Sequence, residues 1–290
     1  MPDVPALQCR TDTHRSALAR LRARPGLLSV RSGWNLLLQA AAFPPSSEVL
    51  VSALTIPDMA RIIEHHGLVS VPLDVDLETA LPSPAAIKAG VTPRTKAVLI
   101  AHLFGATPPL DEHIALARRH GLLFVEDCAQ AFRGAGYSGH PQADASLFSF
   151  GFIKTATALG GGVLIVRRSD LLAEMRIRHQ EYPCQPARER GSRILRCAVL
   201  KLLSTRLGAR SLFTALRLAG RDFDLPLNSR TRGFPPDRML ELIRRQPSAA
   251  LLRLLRHRLA TFDVEHQRAR SLRGRRLIQS IREVAICPAA

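Results

Sequence analysis

The sequence predicts an α/β domain, a mainly parallel β-sheet with helices on both faces, followed by a smaller, basic, mostly helical part. Three observations predict it. Apolar runs of strand length alternate with helical stretches of about ten residues up to residue 175. Some runs, such as Ala97-Val98-Leu99-Ile100-Ala101, are apolar at every position, as strands buried on both faces are. From residue 176 the strand signals fade and the charge changes. Residues 1–175 carry 16 Lys+Arg against 15 Asp+Glu, and residues 176–290 carry 25 against 9. The chain is therefore read as a large domain over 1–175 and a basic, mainly helical small or insert region over 176–290.

The elements follow in order. Residues 14–24 read as a short basic helix stopped by Pro25-Gly26. Leu27 to Val30 is an apolar strand, and Ser32-Gly33 leads into a helix from Trp34 to Phe43, closed by Pro44-Pro45. Strands follow at Glu48–Leu54, Leu68–Leu73, Lys96–His102, Leu122–Val125, Ala145–Phe150 and Gly162–Val166. Helices are expected over 57–66, with Pro57 in the first turn and Gly67 past the end, and over Leu110–His120, ended by Gly121. Residues 193–219 read as two helices broken near Gly208, residues 221–236 as a loop, and residues 237–260 as another basic helical region.

Bulk properties narrow the class. No apolar run reaches the roughly 20 residues needed to cross a bilayer, and the N-terminus lacks the basic-then-apolar pattern of a signal peptide. A cytoplasmic protein is expected. The five cysteines are scattered, with no spacing that suggests a metal site. The basic half suits an anionic substrate or an anionic lipid surface, or reflects an Arg-rich composition. A nucleic-acid role is not expected.

Ligands on such sheets bind beyond the carboxyl ends of the strands. Asp127 stands there, directly after a buried strand; alone, it reads first as a helix N-cap. Lys154 is one of only four lysines beside 37 arginines. It sits among Phe150, Phe152, Ile153 and Leu159, and partial desolvation there makes an amine nucleophilic. Alone, it reads as a lysine reaching solvent from a loop. Ser32-Gly33 before a helix is a ready phosphate site, although such turns are common. Together the three are the parts of a pyridoxal 5'-phosphate (PLP) site. The phosphate anchors the cofactor, the Asp keeps the pyridine nitrogen protonated, and the Lys forms the internal Schiff base.

From about residue 29 to residue 168 the chain resembles the PLP-dependent sugar aminotransferases of the DegT/DnrJ/EryC1/StrS family, of fold type I. Glu48-Val-Leu-Val51 resembles the family's "DEVIV" strand, Thr92-Pro-Arg-Thr-Lys-Ala97 its "TPRTKAI", and His102-Leu-Phe-Gly105 its "HLYG". Glu126-Asp-Cys-Ala-Gln-Ala131 is similar to "EDAAQA", and Phe148-Ser-Phe150 followed by Lys154 matches the spacing of "FSF…K". The chain reads as a divergent, C-terminally short member. The resemblance implies that Lys154 is the Schiff-base lysine and that Asp127 pairs with the pyridine nitrogen. It implies that Gln130 lies near the cofactor's phenolic oxygen. Ser149 would bind the phosphate with the backbone amides of Trp34 and Asn35. The implied reaction moves an amino group, usually from glutamate, to a keto-sugar nucleotide, in a homodimer with the site at the subunit boundary. No metal is implied.

Two other readings stay open at this point. The chain could be a catalytically degenerate member acting as a scaffold or membrane-surface partner through residues 193–219. It could also run another PLP reaction, such as dehydration, although the dehydrating subgroup carries His where this chain has Lys154.

Overall fold

Strands that are apolar at consecutive positions need cover on both faces, and the chain supplies it by alternating strands with helices. A computed structural model of the protein describes residues 26–134, 136–218, 234 and 238–281. Along the chain run β1 (Gly26–Leu27), α1 (Val30–Ala41), β2 (Glu48–Ser52), α2 (Pro57–His65), β3 (Val69–Leu73), α3 (Pro84–Gly90) and β4 (Thr95–Ala101). They continue as α4 (Asp111–Arg119), β5 (Leu123–Asp127), β6 (Ala145–Ser149), β7 (Gly162–Val166) and α5 (Ser169–Gln180). The helical part comprises α6 (Ala187–Leu203), α7 (Arg206–Leu218), α8 (Met239–Ile243), α9 (Ala249–Ala260) and α10 (Val264–Ile281). The helix read at 14–24 lies outside the described residues, as does the loop read at 221–236 apart from Phe234.

The strands form one sheet in the order β1-β7-β6-β5-β4-β2-β3. From β3 across to β6 every pairing is parallel, while β7 runs antiparallel to both β6 and β1. The expected mainly parallel sheet is what forms. Alternate residues serve opposite faces, as strand geometry requires. Val49, Val51, Ala97, Leu99 and Val125 pack with Trp34, Leu37 and Met59 of α1 and α2. Leu50, Val98, Ile100 and Phe124 pack on the other side with Ile87 and Ile114 of α3 and α4. Phe148, Val163 and Ile165 join Leu251, Leu255 and Leu259, so α9 covers the β6–β7 end of the sheet. Each Val, Leu, Ile, Met or Phe side chain among them, once buried, contributes about 1.5–3 kcal/mol of transfer free energy.

Several boundaries differ from the sequence reading: β1 is Gly26–Leu27 rather than Leu27–Val30, β2 ends at Ser52 rather than Leu54, the region read at 237–260 is two helices, and two further differences have a clear local cause. First, α1 begins at Val30 rather than Trp34, because Ser29 is the N-cap and its hydroxyl accepts from the Ser32 N–H at 3.1 Å. Second, the break between α6 and α7 falls at Ser204-Thr205, where Thr205 accepts from the Gly208 N–H at 3.2 Å. Gly208 lies inside α7. A Cβ there would lie 2.3 Å from the Leu202 carbonyl oxygen, so this glycine permits close helix contact rather than breaking a helix.

Candidate active site

The carboxyl ends of β2, β4, β5 and β6 open onto a cavity of about 590 Å³, within the range that encloses cofactor-sized ligands. Asp127, Gln130, Ser149 and Lys154, all singled out in the sequence, line it. Asp127 ends β5 and is buried, with Oδ1 accepting from the Ala129 N–H at 3.0 Å. Residues 128–131 form a turn, so Asp127 is no helix N-cap. Burial pushes its carboxyl above the ordinary value, and the charge of Lys154 offsets part of that. Lys154 lies on the turn after β6, its N–H bonded to the Gly151 carbonyl at 3.1 Å. Burial draws its amine below the ordinary lysine value, partly opposed by Asp127 and reinforced by Arg31. An acid and an amine are thus both desolvated on one cavity wall and sense each other.

Gln130 holds the adjoining loop: its Oε1 accepts from the Phe104 N–H at 3.0 Å, where the Phe104 backbone is left-handed with φ 54°. Ser149 closes β6 opposite Gly162 of β7. A Cβ on Gly162 would lie 2.7 Å from Ser29 C and 2.8 Å from Val30 N. Only glycine lets the start of α1 lie this close to β7, and so beside Ser149.

That contact brings the start of α1 to the cavity. The amides of Val30 and Arg31 are in the first turn of α1 and have no intrahelical acceptor, and Ser29, Val30 and Arg31 line the cavity. Trp34 and Asn35 do not line it. Their amides lie beyond the first turn, inside the helical ladder. The Trp34 ring is fully buried, with Nε1 donating to the Met59 carbonyl at 3.2 Å. Asn35 donates to the Tyr182 hydroxyl at 2.8 Å, and its Oδ1 lies 3.2 Å from His66 Nε2. A hydroxylic residue followed three positions later by a second one, Ser29 and Ser32, was the cap signal that would have set the helix start.

Behind the cavity wall lies a buried network that the sequence reading did not isolate. Glu126 is fully buried; Oε1 lies 3.1 Å from His102 Nε2, and Oε2 accepts from Ser146 Oγ at 2.8 Å and the His140 N–H at 2.7 Å. Burial alone would raise its carboxyl, but these bonds outweigh it and hold it below the ordinary value. Arg167 donates to Ser146 Oγ at 3.0 Å. His102, Glu126 and Cys128 present possible metal-ligating atoms within 4.8 Å of one another. Both Glu126 oxygens are already hydrogen-bonded, so the cluster reads as a brace fixing the ends of β4 and β5.

The opposite wall comes from the helical part. Arg190 of α6 donates to the Ala158 carbonyl at 3.1 Å, tying α6 to the loop before β7. Arg193, Arg196 and Leu200 of α6 line the cavity, and Arg31 and Arg193 stack on the Phe234 ring at 5.6 and 5.7 Å. Asp127 is the one carboxylate among the lining residues, against Arg31, Lys154, Arg193 and Arg196. The cavity is built for an anion.

Comparison with known proteins places this geometry. The profile of the DegT/DnrJ/EryC1/StrS aminotransferase family matches residues 27–193. A pleiotropic regulatory protein of Geobacillus stearothermophilus is 38% identical over 143 residues, 48% of this chain and 38% of that protein. GDP-perosamine synthase of Caulobacter vibrioides is 37% identical over 146 residues, 49% of this chain and 39% of that protein. The chain therefore spans about two fifths of the length of these relatives. Among solved structures, DesI, crystallised in the presence of its TDP-sugar product, superposes with a TM-score of 0.50 at 28% identity, covering 58% of this chain and 45% of that one.

Proposed function

Because the chain belongs to the DegT/DnrJ/EryC1/StrS aminotransferase family, we propose that it is a PLP-dependent aminotransferase. It moves an amino group from an amino-acid donor, glutamate in the first instance, to a keto-sugar nucleotide. The observation that carries this reading is that buried Asp127 and half-buried Lys154, each feeling the other's charge, share a cavity that also holds a helix N-terminus beside Ser149. These residues fit PLP: an acid for its ring nitrogen, an amine for its aldehyde, and amides with a hydroxyl for its phosphate.

When bound, the cofactor supplies an electron sink for the carbon that loses or gains the amino group. The chain does the rest. Lys154 Nζ would hold the cofactor's aldehyde carbon, and as a free amine would move a proton at the substrate carbon. The Asp127 carboxylate keeps the ring nitrogen protonated, and its hydrogen bond to Ala129 fixes its direction. The Val30 and Arg31 amides and Ser149 Oγ bind the phosphate, the roles that sequence reasoning assigned to the Trp34 and Asn35 amides and Ser149. Gln130 borders the ring's oxygen side. Arg193 and Arg196 face the diphosphate of the acceptor. In this reading residues 1–175 hold the cofactor and residues 176–290 cover it. The apolar rim of Leu54, Ile56, Phe104 and Ile153, exposed around the cavity, suits a second copy of the chain in a homodimer.

The test is spectroscopic. Purified protein titrated with PLP should gain a visible-violet absorbance band, and borohydride should fix the cofactor on Lys154, read by peptide mass. Glutamate should then shift the band to that of the amine form of the cofactor. A protein that takes up no PLP sinks the whole reading. PLP uptake without a glutamate shift sinks transamination from glutamate.

A further inference from the structure

We propose that the outer face of the α6–α7 hairpin is a docking surface for an anionic membrane. The reason is that α6 is inside out. At about 100° per residue, Arg190, Arg193, Cys197 and Leu200 share one side, and that side faces the sheet and the cavity. Arg190 is 4% exposed and bonded to the 158–159 carbonyls, Cys197 is buried, and Arg193 and Leu200 line the cavity. The opposite side carries Leu195, Val199 and Leu202, and it faces water: Leu195 is 66% and Leu202 67% exposed. Leu207, 78% exposed at the start of α7, extends the apolar strip across the turn. A helix that buries arginines and exposes leucines is stable in water only at a cost, and a contiguous apolar strip on a surface marks a contact site.

Charge identifies what makes the contact. The segment 187–218 contains eight Lys and Arg and a single acid, Glu189, whose carboxylate is bound by Arg245. Arg188, Lys201, Arg206, Arg210 and Arg217 are exposed beside the apolar strip. A second copy of a chain with net charge +17 would bring like charge against this face. An anionic bilayer satisfies both features at once: leucines enter the acyl boundary while guanidinium and ammonium groups meet lipid phosphates. No described helix is long and apolar enough to cross a membrane, so the contact lies in the interface plane. The inner side of the same helix walls the cavity. Docking therefore holds the cavity about one helix diameter, roughly 10 Å, from the lipid surface. The inference does not depend on which reaction the cavity runs.

Flotation of the full chain with vesicles tests it. One set is phosphatidylcholine alone; the other contains about 40 mol% phosphatidylglycerol, each at about 0.05 and 0.5 M salt. The wild-type chain should co-float with the anionic vesicles at least about tenfold more than with the neutral ones, and less at high salt. The Leu195→Glu/Leu202→Glu chain should lose at least about tenfold of that binding, with its circular dichroism and PLP uptake unchanged. The Leu195→Ala/Leu202→Ala chain, which keeps helix propensity, should show a smaller loss in the same direction. No preference for anionic vesicles overturns the proposal, as does an alanine variant that floats like wild type. A drop in sedimentation coefficient in either variant also overturns it, because the face is then a contact between copies.

Discussion

Asp127 and Lys154 oppose each other's loss of charge. Burial pushes the Asp127 carboxyl up and draws the Lys154 amine down, and each side chain's charge offsets part of the other's shift. The pair thus sets a carboxyl raised by burial beside an amine lowered by burial in one cavity, each shift limited by the other's charge.

Asp127→Asn should therefore act on Lys154 as well as on the cofactor. The amide keeps an oxygen that can accept from the Ala129 N–H, so the fold should hold. Without the carboxylate, the Lys154 amine falls further below its ordinary value, and the pH at which PLP uptake is half-maximal should move down. Glutamate half-reaction rates should drop about 10²-fold or more, as for loss of a preorganised electrostatic partner. Stopped-flow absorbance against pH reads both. An unshifted uptake midpoint would mean the two side chains are not coupled.

Lys154→Arg preserves the positive charge facing Asp127 but not the nucleophile, since guanidinium stays protonated. Borohydride should fix no cofactor on this variant, and the half-reaction should fall by about 10³-fold or more through loss of proton transfer. Retained PLP affinity, measured by dialysis, would show that Ser149 and the α1 amides hold the phosphate without the covalent anchor.

Gly162→Ala tests how the start of α1 is held beside Ser149. The new methyl would meet backbone atoms, Ser29 C and Val30 N, which cannot rotate away. The start of α1 must shift from β7, at a cost of about 1–3 kcal/mol. PLP affinity and thermal stability should both fall. Gly67→Ala provides a contrast: φ is +69° there, but a methyl meets nothing within 4 Å, so stability drops through strain while PLP affinity stays.

Much of this arrangement was legible in the sequence. The runs at 97–101, 122–125 and 162–166 read as buried strands because no residue in them interrupts the apolar pattern, and the second stops at Glu126-Asp127. Position at a strand end marked Asp127, and the resemblance to the family marked Ser149; both line the cavity. The start of α1 was misplaced by four residues because Ser32-Gly33 looked like a turn, whereas the Ser29 hydroxyl caps the helix and Gly33 sits inside it against Leu27. Long-range packing was out of reach: no local pattern announces that Gly162 touches Ser29, or that Arg193 and Phe234 wall a cavity made by residues a hundred positions earlier. The inverted polarity of α6 was equally hidden, since a helix's apolar stripe does not say which way it faces.

Asn35, which does not line the cavity, points to the last prediction. It is the centre of a polar junction between α1, α2 and the helical part, bonded to Tyr182 and to His66, with Arg244 of the segment after α8 close by. His66 is held neutral there: burial first, then the nearby charges of His65 and Arg244, draw its imidazole down to about 4. In the unfolded chain the same group titrates near 6.5. Between these values the unfolded state binds the extra proton, so stability must fall as pH drops from about 6.5 to about 4 and be fully present above that window. His66→Gln removes the titration while offering an N–H to Asn35 Oδ1. Its urea midpoint should depend less on pH than that of the wild type across the window, with the two curves diverging as the solution is acidified. Parallel curves would mean that His66 protonates freely in the folded protein and that the junction opens to water.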